Sequence, residues 1–503
     1  MSFVSPIVAA DSVEPSKRVD DTRPLQIALG ILALLTIARL SGTVDSDVAW
    51  QLWIAGRIQA GADLYRDIVE TNPPLWFWMA LPIERVATLL SLRIESVLIV
   101  AIGGTVALSL AATDRLLPEL DAGRRSLLLS YAAATVFAMP WAHVGQREQI
   151  VMIATLPYAA LIAARRDSRP VSAILAVAVG IGAGLGFALK HYFLIVPVLL
   201  EAWLLASSLR RWRPLRPETV AIAGVGLVYA AAIFAERDYV ELIVPLLGQA
   251  YGIFSAPGFL YLLGPFAAVG LVLIAVLLAA QKAVRGIPLV QALLIASIGF
   301  AAAYFIQFKG WTYHAIPMLG CSAIALASVL AYSTEKLRLL RLGAPALLCL
   351  PLSLSAGEAA NPSLPSRDLN QAVAGLPAGV PVAFISEDTA IAWSITLQHG
   401  WRYPSRYNGF WMLRALLLNE KAEQPDPALI ELGRRVTAQT VADFRCLPPR
   451  RIVAQPEPLA YFMRDPAFVH LLTHYALVSR MGFLVYEQRS ALEAPGSDCV
   501  RGR

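Results

Sequence analysis

The chain is predicted to be a polytopic α-helical membrane protein. About eleven transmembrane helices are expected, with interfacial helices in the first outer loop and a small C-terminal extracytoplasmic α/β domain. Three observations predict this. Apolar residues form 57% of the 503 and charged residues only 16%, with a mean hydropathy of +0.58; a soluble chain carries about 25% charged residues. Long apolar runs recur from Leu25 to about Ser355 and then stop. Basic residues gather in alternate connections between those runs. The net charge of +6 therefore does not mark a nucleic-acid-binding protein, because Lys and Arg sit in short loops and not in one patch or stripe.

Residues 1–23 are read as a cytoplasmic tail and 24–356 as the transmembrane module. Spans are expected near 24–40, 93–113, 126–140, 149–164, 171–187, 193–209, 219–235, 259–280, 288–306, 315–333 and 343–355, several of them shorter than the ~20 residues a bilayer core asks for. The first has no clear small-x-small cleavage site after its apolar core and is taken as retained. Lys17-Arg18 with Arg23, Arg124-Arg125, Arg165-Arg166, Arg210-Arg211 with Arg213, Lys282 with Arg285, and Lys336 with Arg338 and Arg341 fall in alternate connections. The positive-inside rule makes these cytoplasmic. The connections 41–92, 141–148, 188–192, 236–258 and 307–314 then face outward, as does the tail 357–503.

In the first outer loop, 41–92, the segment 73–90 opens with Pro73-Pro74-Leu75-Trp76-Phe77-Trp78 and contains Glu84 and Arg85. A crossing there would invert every later orientation, so it is read as a helix in the outer interface, with Trp76 and Trp78 at headgroup level. Val48–Ala60 also reads as an interfacial helix from its three- and four-residue apolar steps. The tail is richer in Pro, Asp, Glu and Arg. Val382–Ser386 reads as a buried strand, Tyr475–Arg480 and Phe483–Arg489 as a hairpin, and Asp426–Arg435 and Asp465–Leu472 as helices. Cys321 and Cys349 lie in apolar spans as packing residues. Cys446 and Cys499 are the two tail cysteines; an oxidising compartment would let them pair, and spacing alone leaves two free thiols equally open.

No Walker loop, G-x-G-x-x-G fingerprint, internal repeat or zinc-type cysteine pair occurs in the sequence. Gly180, Gly182, Gly184 and Gly186 lie inside an apolar span and read as close helix packing. His470 and His474 stand four apart, a spacing compatible with metal, but no third ligand is near. The sequence establishes no cofactor, and a divalent metal is compatible with it but not indicated.

The candidate chemistry lies in the outward loops. They hold Asp45, Asp47, Tyr65, Arg66, Asp67, Glu70 and Asn72, then His143, Gln146, Arg147 and Glu148, then Lys190 and His191, then Glu236 to Tyr239, and finally Gln307, Lys309, Tyr313 and His314. Solvated loop charge accounts equally well for any one of them. It accounts less well for Lys190 and Lys309, which directly adjoin long apolar runs on the side where the positive-inside bias disfavours them. Two such cations suit a lipid phosphate. Asp47 is a candidate general base, which needs only an acceptor hydroxyl within reach.

Asp47-Val-Ala, Gly61-Ala-Asp-Leu-Tyr65-Arg66-Asp67 and Asn72-Pro-Pro-Leu75, in that order, resemble the first outer loop of GT-C glycosyltransferases. The similarity is to the bacterial branch of lipid A aminoarabinose transferases and relatives of the protein O-mannosyltransferases. Gly145-Gln-Arg147-Glu148 resembles the second-loop acidic motif, and Lys309-Gly-Trp-Thr-Tyr313-His314-Ala-Ile-Pro317 a late-loop motif. The chain departs from the pattern in having Val48 where many members carry a second acid, with Asp45 upstream instead.

The resemblance implies transfer of a sugar from a polyprenyl-phosphate-linked donor to an extracytoplasmic glycan, lipid or protein acceptor, with inversion, in the cytoplasmic membrane. Asp47 would be the catalytic base, and Arg147, Lys190 and Lys309 would bind the donor phosphate. Asp45, Tyr65, Arg66, Asp67, Glu148, Tyr313 and His314 would bind substrate. Membrane lipid is the other expected partner. Two rivals are a lipid transporter or flippase, which should carry charge inside its spans and show repeat symmetry, and a noncatalytic membrane subunit.

Overall fold

The computed structural model describes residues 21–332, 338–360, 367–480, 482–490, 492 and 499. A helical bundle is built first. Its helices are α1 (Arg23–Arg39), α2 (Ser46–Gln59), α3 (Leu75–Leu90), α4 (Ile94–Leu116), α5 (Ala122–Ala133), α6 (Arg147–Arg166), α7 (Ala173–Ala188) and α8 (Ile195–Ser207). They continue with α9 (Pro217–Ala235), α10 (Val244–Ala250), α11 (Pro265–Ala279), α12 (Gln281–Val284), α13 (Pro288–Gln307), α14 (Ile316–Tyr332) and α15 (Arg338–Ala360). All eleven expected apolar segments are helical, α5 being prolonged by a π turn over Ala134–Ala138. Among the described residues, four helical stretches are long and apolar enough to cross a membrane: Ile94–Leu116, Pro217–Ala235, Pro288–Gln307 and Thr312–Tyr332. Ala173–Ala188, His191–Ser207, Tyr239–Phe254 and Pro265–Ala279 are apolar but shorter.

The small residues of α7 do what their pattern implies. A β-carbon on Gly180 would meet the Glu218 carbonyl at 2.7 Å, and one on Gly184 would meet Val225 at 3.0 Å, so α7 lies directly on α9. The two helices expected in the first outer loop are α2 and α3, which pack against each other. Proline cannot donate to a preceding turn but tolerates a helix start, and α3 begins immediately after Pro73-Pro74.

The tail forms α16 (Arg367–Val373), β1 (Val382–Ile385), α17 (Trp393–His399), α18 (Leu413–Glu420), α19 (Pro427–Cys446), β2 (Arg451–Ala454), α20 (Pro456–Phe462), α21 (Pro466–Leu472), β3 (Tyr475–Ser479) and β4 (Leu484–Gln488). The sheet order is β1-β2-β4-β3, with β1 parallel to β2 and the β3–β4 hairpin antiparallel. β2 is absent from the sequence reading, and α19 extends eleven residues beyond the expected Arg435. Cys446, at the end of α19, is disulfide-bonded to Cys499. Cys321 is buried, whereas Cys349 is exposed and packs no core.

The tail is docked on the bundle through aromatic rings. Trp50 and Trp53 of α2 stack at 4.8 Å, and Trp393 of α17 meets them at 4.2 and 5.1 Å. Tyr403 closes the group at 4.5 Å from Trp393. Each such pair contributes about 0.5–1.5 kcal/mol beyond area burial.

Candidate active site

Asp47 lies in the first turn of α2, which Asp45 caps by accepting from the Val48 amide at 2.9 Å. The cap fixes where the helix begins and so where Asp47 points. One Asp47 carboxylate oxygen accepts from the Tyr313 hydroxyl at 3.1 Å and from Gln146 at 3.3 Å. Gln146 also donates to Asp45 at 3.0 Å. Burial, and secondarily the neighbouring Asp45 charge, raises the Asp47 pKa above the ordinary aspartate range.

Gln146, Arg147 and Glu148 are delivered by the sharp entry into α6. Gly145 has φ +89°, and a β-carbon there would meet Leu98 at 2.9 Å and Val48 at 3.2 Å. Only glycine takes this conformation without strain and lets the entry to α6 press against α2. The Gly145 carbonyl accepts from the Trp76 indole at 3.2 Å, and its amide donates to Gln149 at 2.8 Å. Arg147 stacks on Trp76 with its guanidinium 4.6 Å from the ring centre. It also donates to the Asn72 side chain. Asn72 is held in turn by Glu70, which accepts from its amide at 2.8 Å and its side chain at 2.7 Å. Trp50 donates to the other Glu70 oxygen.

The third part is cationic. Glu148 is fully buried and accepts from Lys190 at 2.5 Å. Lys190 also lies 3.0 Å from Nε2 of His314. Burial draws the Lys190 pKa down to about 8, with Glu148 offsetting part of the effect. Lys309 is half-buried, with its ammonium 4.4 Å from the Tyr251 ring centre and 5.6 Å from that of Phe254. Lys190, Arg147 and Lys309 all act electrostatically on His314. Several buried polar atoms here have no partner among the described residues: Oε1 of Gln146, Nε of Arg147, Oε2 of Glu148 and Nδ1 of His314. Buried polar groups are normally paired, so an unsatisfied set in one place is a signature of a ligand site.

The structure thus brings Asp47, Asp45, Arg147, Glu148, Lys190, Tyr313 and His314 into one connected group, with Lys309 beside it. It does not bring Arg66 or Asp67 to that group. Arg66 is exposed and pairs with Asp238 at 2.9 Å, and Asp67 closes its own turn by accepting from the Asp63 amide at 2.9 Å. Tyr65 is buried with φ +74°, and its hydroxyl supports the loop by donating to the Asn72 carbonyl at 2.8 Å. The motif resemblance made Arg66 and Asp67 substrate-binding candidates; the turn exposes Arg66 and folds the half-buried Asp67 back onto its own backbone.

Glu70, Asn72, Gln146, His143 and Glu358 support the site; the sequence reading gives the first four only as polar residues of the outward loops, without an assigned role, and does not name Glu358. His143 lies 3.2 Å from Asp45 and 3.1 Å from Glu358. Burial opposes its charge, but the two carboxylates outweigh that and hold its pKa at about 10. Asn72 was legible as part of the Asn-Pro-Pro stretch; Glu358, near the end of α15, had no local signal. Among the described residues, no group of three or more His, Cys, Asp or Glu side chains is arranged to hold a metal ion. His470 ends near His474 at 5.8 Å between rings, but His474 lies past the end of α21 and bonds Ser490.

The bundle, its paired loop helices and the docked sheet share their fold with a solved structure. The solved structure of ArnT from Cupriavidus metallidurans bound to undecaprenyl phosphate matches with a TM-score of 0.54 at 12% identity, covering 95% of this chain and 100% of that one. The oligosaccharyltransferase AglB from Archaeoglobus fulgidus, in complex with an inhibitory peptide and a dolichol-phosphate, matches at 0.46 and 11% identity over 94% of this chain and 74% of that one. No protein-family model matches the chain, and no curated protein matches it in sequence.

Proposed function

We propose that this protein is an integral-membrane glycosyltransferase that moves a sugar from a polyprenyl-phosphate donor to an acceptor hydroxyl outside the cytoplasm, with inversion. The observation that carries the reading is the half-buried Asp47 carboxylate, held by Tyr313 and Gln146 in one group with Arg147 and Lys190. Asp47 takes the acceptor proton, and the hydroxyl oxygen forms a bond to the anomeric carbon as the bond from that carbon to the phosphate oxygen breaks. The electron pair leaves with the polyprenyl phosphate. A raised carboxylate pKa suits a general base better than an ordinary one does. Arg147, Lys190 and Lys309 stabilise the departing phosphate as fixed charges. Glu148 orients Lys190 and offers its second oxygen to a sugar hydroxyl, and Tyr313 keeps Asp47 aimed at the acceptor.

The fold supports this reading through a neighbour whose bound ligand is a polyprenyl phosphate. The test is mass spectrometry of surface glycolipids, polysaccharide and glycoproteins from cells with the chain, without it, and with Asp47→Asn. One glycan should lose a sugar both on deletion and in the variant. An identical profile in all three strains would refute the assignment.

A further inference from the structure

A second polar site lies at the other end of the bundle. Arg147 opens α6 and Arg165 stands near its close. A twenty-residue helix is about 30 Å long, roughly the thickness of a bilayer core. There the α6–α7 and α8–α9 connections enclose a cleft of about 490 Å³. Five arginines line it: Arg165, Arg169, Arg211, Arg213 and Arg216.

Their anchoring is uneven. Glu218 is fully buried behind the cleft and accepts from Arg165 twice at 2.9 Å and from Arg216 at 2.7 Å. Arg216 also pairs with Glu201. Two guanidinium groups are thereby set in fixed positions. Arg211 and Arg213 are exposed and form no ion pair among the described residues; Arg211 donates to the Ser168 hydroxyl at 3.0 Å. Glu201 and Glu218 thus serve Arg165 and Arg216, and the exposed Arg211 and Arg213 add positive charge at the cleft. The cleft also has an apolar margin. Trp212 lines it, and the neighbouring Leu209 and Leu215 are 70% and 84% exposed.

We propose that this cleft binds the phosphate headgroup of an anionic membrane phospholipid. Fixed arginines match phosphate oxygens in pairs. A soluble anion has no use for exposed leucines beside its site, whereas a phospholipid carries acyl chains that cover them. A tryptophan at the margin belongs at headgroup level, and basic pockets between membrane helices are suited to anionic headgroups. The proposal rests on the membrane reading of the bundle and not on the transfer chemistry.

The test uses the purified full chain, offered equal amounts of phosphatidylglycerol and phosphatidylcholine with the same acyl chains, and native mass spectrometry of the lipid retained. The wild type should favour phosphatidylglycerol by about tenfold or more. Arg211→Gln with Arg213→Gln should lose that preference with an unchanged melting temperature, and Arg211→Lys with Arg213→Lys should keep it. Equal retention of the two lipids by the wild type, an undiminished preference in the glutamine variant, or a lost one in the lysine variant would overturn the proposal. An excess of inorganic phosphate is the second arm. It should leave the lipid bound, and displacement would assign the cleft to a soluble anion instead.

Discussion

Removing the charge of Lys190 tests the proposed phosphate site without knowledge of the sugar. Its ammonium is buried, 2.5 Å from Glu148 and 3.0 Å from His314. A hydrogen bond to an ionised partner contributes about 1.5–3 kcal/mol, which is roughly ten- to a hundredfold in affinity. Lys190→Gln should weaken binding of undecaprenyl phosphate by that factor and leave binding of the uncharged undecaprenol unchanged. The substitution also strands the buried Glu148, at a cost of about 3–5 kcal/mol in stability. Lys190→Gln with Glu148→Gln removes both charges, so the melting temperature should return toward wild type while binding stays weak. The pH profile gives an independent reading. Lys190 loses its proton as pH rises through about 8, whereas a phosphate monoester is already doubly ionised above about pH 6. Affinity should therefore be full between about pH 6 and 8 and fall above about 8, until the ten- to hundredfold contribution of the Lys190 charge is lost. Lys190→Arg keeps its charge and should abolish the alkaline loss. Titration of purified protein by native mass spectrometry measures the wild type and the three variants. Wild-type affinity in the doubly neutral variant, with a flat pH profile in the wild type, would refute the phosphate role.

Three further outcomes are expected. Asp47→Asn should abolish transfer but bind undecaprenyl phosphate normally, and the wild-type rate should fall on acidification at a pH above the ordinary aspartate range, because the base must be ionised and its pKa is raised; Asp45→Asn, which still caps α2, should act more mildly. Trp393→Ala should cost about 3–5 kcal/mol of stability, read as a lower melting temperature, by emptying the aromatic contact between α17 and α2. With Cys321 and Cys349 replaced by alanine, the exposed positions Ala60→Cys and Leu209→Cys should react with an impermeant thiol reagent from opposite faces of the membrane; labelling of both from one face would contradict the proposed orientation. Gly145 is unsuited to such labelling, since a side chain there collides with Leu98 and Val48.

The helices were legible because long apolar runs leave few alternatives, and the hairpin because its two runs flank a glycine. β2 was not, because four residues from Arg451 to Ala454 become a strand only by pairing with β1, which is distant in sequence. The same division holds at the site. Asp47, Glu148, Lys190 and His314 stood out as polar residues in outward loops, and the fold connects them. The bonds that orient them were hidden. Glu70 bonds Asn72 and Asn72 bonds Arg147, a chain of contacts that depends on the turn geometry around Tyr65 and Pro73. Local sequence also did not separate Arg66 and Asp67 from the connected group, since it does not say which way a turn sends its charges.

The tail acts on the site through the first loop. Ser394 donates to the Val44 carbonyl at 3.0 Å, immediately before Asp45. At the loop's other end the Val69 amide donates to the Arg406 carbonyl at 2.8 Å, immediately before Glu70. Arg406 is itself fixed by a bidentate pair with the buried Asp443 of α19, at 2.8 Å for the shorter contact. Both grips are made next to residues that place chemistry: Asp45 sets the start of α2 and hence Asp47, and Glu70 sets Asn72 and hence Arg147. The proposed base on this loop and the proposed phosphate-binding Arg147 of α6, which the loop's Asn72 holds, need their separation kept within a fraction of an ångström for in-line displacement. A loop anchored only by the bundle would leave its two ends free to drift apart. Clamping both ends to one small sheet domain fixes that separation, which gives the tail a physical role in the proposed transfer.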